Sequence, residues 1–176
     1  MKQLIFALVM ISASQLGFSA DFNTGPLIKS FGKHAPVTQT QALKPNQKFK
    51  VVFDVSKQTE EGKVNRSFES LARFLNMHVA NGIPAENIEL ALVVHGKAGF
   101  DLLKHADYKS KYQSSNPNIA LLDELVKNNV RIFICGQSAA YLGIKNEQLH
   151  AGVNVALSAM TANALLQQEG YTLNPF

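Results

Sequence analysis

A single cysteine, Cys135, lies in the stretch RIFICGQSAAYLGI (131–144), and a histidine, His95, lies in ELALVVHGKAG (89–99). Each ends an apolar run, and each is followed at once by glycine. A thiol between an apolar run and a helix start suits nucleophilic chemistry. Free amides and the helix dipole favour negative charge there, which lowers the thiol pKa and raises the thiolate fraction. An imidazole at a neighbouring strand end can assist the thiolate or transfer a proton. Gly136 lets a ligand or a backbone approach closely, and Gln137 and Ser138 offer hydrogen bonds to a bound anion or cap the short helix. The same residues have plainer readings. A free cysteine often packs as a small hydrophobe, and a histidine before glycine can be a satisfied structural residue. Position leaves both readings open.

Other chemistry finds no matching pattern. No G-x-G-x-x-G follows the first apolar strand and no Walker loop occurs, so no nicotinamide, flavin or other cofactor is expected. GQSAA is not a nucleophile elbow, because Ala140 stands where the second glycine belongs. His34, His78, His95, His105 and His150 show neither H-E-x-x-H nor cysteine–histidine metal spacing. His78 reads as a surface or rim residue of its helix. Lys97, Lys104, Lys109 and Lys111 either gather anions around a pocket or simply solvate a loop.

The elements that position Cys135 and His95 follow from periodicity. Apolar runs dense in Val, Ile and Phe predict strands over 49–56, 88–96, 130–135 and 153–158, with a short last strand over 171–176. The run at 88–96 is nearly continuous, as in a strand buried on both faces. Phe68, Leu71, Leu75 and Val79 share one face of a helix over 65–82, with Ala72 and Phe74 at its margins, Asn65 or Ser67 as cap and Gly82 as stop. Further helices fall at about 100–105, then 118–129 with Leu121, Leu122, Leu125 and Val126 inward, then 138–143 and 159–170. The segment after 105 reads as a polar loop. Alternation of this kind predicts a three-layer α/β/α sandwich with a mostly parallel sheet of about five strands and right-handed crossovers. Ligands of such sheets bind beyond the carboxyl ends of the strands. Those ends carry residues 54–56, His95 and Gly96, Cys135 and Gly136, and Ser158.

The whole chain sets the setting. Its 176 residues, 46% hydrophobic and 17% charged, fit one globular domain. Residues 1–20 carry one lysine, an apolar run over 4–11 and then small and polar residues, the pattern of a secretory signal peptide. The apolar run is too short to span a bilayer, so no stable membrane insertion is expected and the expected location is periplasmic or secreted. Loss of Lys2 leaves 16 basic against 13 acidic residues, a charge of +3. With no arginine stripe or aromatic ladder, nucleic acid is not an expected partner. Residues 21–48, rich in Gly, Pro, Thr, Gln and Lys, predict an arm with one short strand near 35–38, ahead of a domain over 49–176. One cysteine in an oxidising compartment cannot form an internal bridge. A partner thiol, a buried inert side chain or a reactive sulfur are the alternatives.

The segments ARFLNMHVANG, ELALVVHG, VRIFICGQSA, ALSAMT and GYTLNPF, taken in order, resemble the DsrE/DsrF-like sulfur-relay superfamily, and above all its exported members. The resemblance covers about residues 48–176. It implies a three-layer α/β domain assembled as trimers or hexamers, in a family of which some cytoplasmic members carry sulfur as a persulfide on one cysteine. Cys135 looks like the family's cysteine, and His95 in VVHG matches a motif of the exported members. Gly136, Gln137, Asn76 and Ser158 match the surrounding pattern. The chain departs from the cytoplasmic carriers in its leader and in placing Cys135 at a strand end within CGQS rather than on a mobile loop. The implied function is handling of persulfide or a related thiol species at Cys135, with a sulfur-donor or acceptor protein as partner. The alternative is a non-catalytic oligomeric binding or assembly module in which Cys135 is structural. A third, weaker one is a redox sensor forming an intermolecular disulfide. The apolar VALSAM and C-terminal segments also look too hydrophobic for the edge of a small monomer.

Overall fold

The computed structural model describes residues 21–174; the leader read at 1–20 lies outside the described residues, as do 175 and 176. Five strands form one sheet: β1 (Phe49–Val55), β2 (Ile88–Val94), β3 (Arg131–Cys135), β4 (Val153–Ala156) and β5 (Thr172–Asn174). Every pairing is parallel and the order is β4-β3-β2-β1-β5. Five α-helices lie in the connections: α1 (Arg66–Ala80), α2 (His105–Tyr112), α3 (Ile119–Lys127), α4 (Gly136–Leu142) and α5 (Ala159–Gln168). The architecture is the α/β sandwich the alternation predicts.

Side-chain alternation sorts the sheet into two cores. Phe53, Val55, Leu92, Val94, Ile132 and Ile134 join the larger one, with Phe68 and Leu71 of α1, Tyr108 of α2, and Leu121, Leu122 and Leu125 of α3. Val52, Ala91, Val93 and Cys135 join the smaller one, with Ala159, Ala162 and Leu166 of α5. The chain steps in one direction from β1 to β4, and right-handed crossovers keep the connecting helices on one face. The step from β4 back to β5 reverses direction and carries α5 over the other face. One face is therefore thickly covered and the other is covered by a single helix.

Asn65, not Ser67, caps α1: its Oδ1 accepts from the Ser67 amide at 3.0 Å. His78 is 8% exposed rather than on the surface. Its ring stacks on Phe74 at 3.9 Å, its Nδ1 lies 2.8 Å from the Phe74 carbonyl, and burial holds its pKa below the ordinary value despite that bond. Val126 is 38% exposed, because α3 turns it outward past Leu125. The polar loop read after 105 is the helix α2, preceded by a 3-10 segment over Gly96–Leu102. Its apolar stripe is only Tyr108 and Tyr112, one turn apart, tilted together at 4.6 Å, with Tyr112 edge-on to Phe100. In the arm, residues 35–38 form no strand; Asn23 and His34 form an isolated antiparallel bridge instead.

A buried polar node fixes the two long connections at the carboxyl edge. Asp101, Asn116, Asn118 and Asn65 are all nearly or fully buried. Asp101 Oδ2 accepts from the Thr59 amide at 3.0 Å and Asn65 Nδ2 at 2.7 Å. Asn116 Nδ2 donates to the carbonyls of Asp101 and Leu103, and its Oδ1 accepts from the Asn118 amide. Asn118 Oδ1 accepts from the Asn65 amide at 2.7 Å. Asp101 Oδ1 alone has no partner. Burial pushes the Asp101 carboxyl up to about 6, against the opposing hydrogen bonds from Thr59, Asn65 and Gln58. The native state therefore holds a proton that the unfolded chain releases near 3.8. This contribution to stability is complete below that pH and is lost as pH rises through about 6. Asp101→Asn removes the titration. Its stability relative to the parent rises by about 2–3 kcal/mol between pH 4 and pH 8, measured by urea unfolding at each pH. A difference that does not change with pH would count against Asp101 as the titrating group.

Candidate functional site

Three strand ends bring side chains to one face. Asp54 lies two residues beyond Val52 on β1, and His95 two beyond Val93 on β2, so both point toward α5, as Cys135 does on β3. The extended backbone continues through His95 (φ −143°, ψ −177°), whose amide donates to the Val55 carbonyl at 2.9 Å. Val94 pairs with Ile134, so His95 and Cys135 each follow the last paired residue on adjacent strands, whose backbones run about 5 Å apart. His95 Nε2 lies 2.8 Å from Asp54 Oδ1. Asn163 of α5 donates through Nδ2 to Asp54 Oδ2 at 2.6 Å. The His95 and Asp54 side chains are 35% and 27% exposed, so the pair is open to solvent.

Cys135 is the N-cap of α4, and its Sγ accepts from the Ser138 amide at 3.4 Å. Burial raises the thiol pKa, but the Ser138 hydroxyl and the amides of Ser138, Ala159 and Gln137 outweigh it, so the thiol is more acidic than an ordinary cysteine. Ala159 is the first residue of α5, so the starts of two helices act together to lower the thiol pKa. Each neighbour serves this arrangement. Ser158 caps α5, its Oγ accepting from the Thr161 amide at 3.0 Å. Ser138 Oγ accepts from the Gly96 amide at 3.0 Å, which leaves its own hydrogen for the sulfur. Gln137 Nε2 donates to the Leu157 carbonyl. At Gly136 an added Cβ would sit 2.6 Å from the Ala156 carbonyl oxygen, so the close approach there is of backbone to backbone. A cavity of about 270 Å³ opens beside this corner, lined by Gly96, Lys97, Gln137, Ser138, Tyr141 and Leu142.

The structure thus brings His95, Cys135, Gly136, Gln137, Ser138 and Ser158 to one corner. Asn76 lies elsewhere, on α1 across the sheet. There it clasps the arm, with Oδ1 accepting from the Leu27 and Ile28 amides and Nδ2 donating to the carbonyls of Ile28, Phe31 and Gly32. Of the four lysines, Lys97 lines the cavity, Lys104 donates to the Glu147 carbonyl and Lys111 lies over the Phe100 ring. Sequence reasoning marked Asp54 only as a strand end and missed Asn163 and the Ala159 amide. Alternation along β1 places Asp54 on the right face; no local signal announces where α5 will dock.

The model of the DsrE/DsrF-like family matches residues 50–175, and the chain belongs to that family. A protein of unknown function, MTH1491 from Methanobacterium thermoautotrophicum, has a similar fold, with a TM-score of 0.54 at 20% identity over 73% of this chain and 99% of that one. The ychN protein from E. coli is also 20% identical over 73% of this chain and all of its own, with a TM-score of 0.49. No curated protein matches the chain.

Because the Ser138 hydroxyl is one of the donors that lower the Cys135 pKa, Ser138→Ala raises it. Loss of one hydrogen bond of about 1 kcal/mol cuts the thiolate fraction roughly fivefold. The check is the pH profile of iodoacetamide alkylation, whose midpoint moves up in the variant. An unmoved midpoint would mean that the hydroxyl does not act on the sulfur.

Proposed function

We propose that this protein carries sulfane sulfur as a persulfide on Cys135, without a cofactor, in the periplasm or outside the cell. The observation that supports this most is the N-cap position of Cys135, whose Sγ accepts from the Ser138 amide at 3.4 Å, with the thiol pKa held below the ordinary value by donors at the starts of α4 and α5. They favour the thiolate form of that sulfur, which is the attacking nucleophile. Cys135 transfers its proton to His95, and the thiolate attacks the outer sulfur of a hydropersulfide RSSH. A new S–S bond forms as the RS–S bond breaks. The proton on His95 passes to the departing RS⁻, so CysSH and RSSH become CysSSH and RSH with no outside oxidant. The sulfur then moves to an acceptor thiol by exchange. After exposure to polysulfide, mass spectrometry of the intact protein finds a gain of ~32 Da, one sulfur atom, that is lost in Cys135→Ser. No adduct at any pH would overturn the reading.

A second reading, an assembly module with a structural cysteine, draws on the 6% exposure of Cys135. A thiol silent to iodoacetamide until the protein unfolds would favour it.

Assembly belongs to both readings. Met160 and Leu157 are 80% and 73% exposed, and with Leu165 they lie on or just before α5, the helix of the singly covered face. Exposed apolar side chains in such number mark a contact surface, and a second copy of this chain, in a trimer or hexamer, is its occupant. Light scattering at micromolar concentration gives a multiple of the monomer mass, and Met160→Asp lowers it. A monomeric parent would reject the assembly.

A further inference from the structure

The His95–Asp54 contact does not hold β1 to β2, which already pair along their whole length. Nor is it sealed from water. Its geometry is that of an orienting chain. A carboxylate only accepts, so the 2.8 Å contact with Asp54 Oδ1 places the hydrogen on His95 Nε2 in both the neutral and the charged ring. Nδ1, which makes no hydrogen bond among the described residues, is left as the atom that gains and loses a proton. β2 lies between β1 and β3, so the ring stands on the strand between Asp54 and Cys135. Asp54 is fixed in turn by Asn163 Nδ2 at 2.6 Å, while Asn163 Oδ1 is buried with no partner. A buried acceptor left unpaired is unfavourable, and the bond to Asp54 is what the side chain gains in exchange.

The structure assigns Asp54, held by Asn163, as the positioning residue that makes His95 Nδ1 the proton donor to the leaving thiolate in sulfur transfer to Cys135. The assignment rests on the carrier reading above. It also predicts the substrate class: alkyl hydropersulfides, whose leaving thiolates are basic enough to need a proton. When RSSH loses its outer sulfur to Cys135, the proton taken from the Cys135 thiol travels through Nδ1 to RS⁻. Asp54 orients the ring and takes no part in the exchange.

The test compares two reagents on the same thiol. An alkyl hydropersulfide expels a basic thiolate; 5,5′-dithiobis(2-nitrobenzoate) expels an aromatic thiolate that needs no proton. In Asp54→Asn the ratio of the alkyl to the aromatic rate constant falls roughly tenfold or more. It falls in the same direction in Asn163→Ala, and Asp54→Asn causes no further fall in a His95→Gln background. Nitrogen NMR of the neutral parent protein finds the His95 hydrogen on Nε2. A hydrogen on Nδ1, a ratio unchanged in both Asp54→Asn and Asn163→Ala, or an undiminished effect of Asp54→Asn without His95 would each overturn the assignment while leaving the carrier reading intact. A parent Cys135 inert to the aromatic disulfide would overturn both.

Discussion

Parallel register across β1, β2 and β3 is the constraint on which the site depends. In such a sheet a residue's face is set by its parity along the strand, and a slip of one residue turns every side chain over. Asp54, His95 and Cys135 are far apart in sequence, yet their strands end at nearly the same level and in the same phase. The ladders that pair β2 with β1 along its whole length and with β3 over Ala91 to Val94 hold this phase. A deletion within β2 would turn His95 toward α1 even if the sheet still formed.

The edge of a parallel sheet consists of connections, and these need their own support. Here Asn65, Asp101, Asn116 and Asn118 do what a hydrophobic cluster cannot: they satisfy backbone groups of two irregular segments at once. The Ala98 amide then reaches the Ser56 carbonyl at 3.1 Å and the Gly96 amide reaches Ser138. Gly96 takes φ +53° to do so, a conformation that glycine adopts without strain. The polar node lies outside the reactive corner, but it sets the path of the chain that leaves His95 and returns to face α4.

The strands and their order of appearance were legible because β-branched and apolar runs in a buried parallel sheet carry an unambiguous signal. The helix α2 was not, since HADYKSKY presents only two large apolar side chains, Tyr108 and Tyr112, which pack on Phe100 and in the larger core. His78 was misplaced for a related reason: a lone polar ring on a helix reads as exposed, whereas Phe49 and Phe74 enclose it. At the candidate site the strand-end residues could be read from position. Asn163 and the Ala159 amide could not, because they arrive with a helix whose docking depends on the β4-to-β5 return. Asn76 matched a family pattern, but its hydrogen bonds tie it to the arm.

The helix that covers the thin face touches the reactive corner twice. Its first amide is among the donors to the Cys135 sulfur, and Asn163, one turn on, grips Asp54. The charge on the sulfur and the seating of α5 are therefore linked equilibria. Any force that presses α5 onto the sheet favours the anion, and formation of the anion tightens α5 by the same free energy. The bare outer side of this helix, with Met160 and Leu165 turned to solvent, thus backs directly onto the residues that surround a buried thiol.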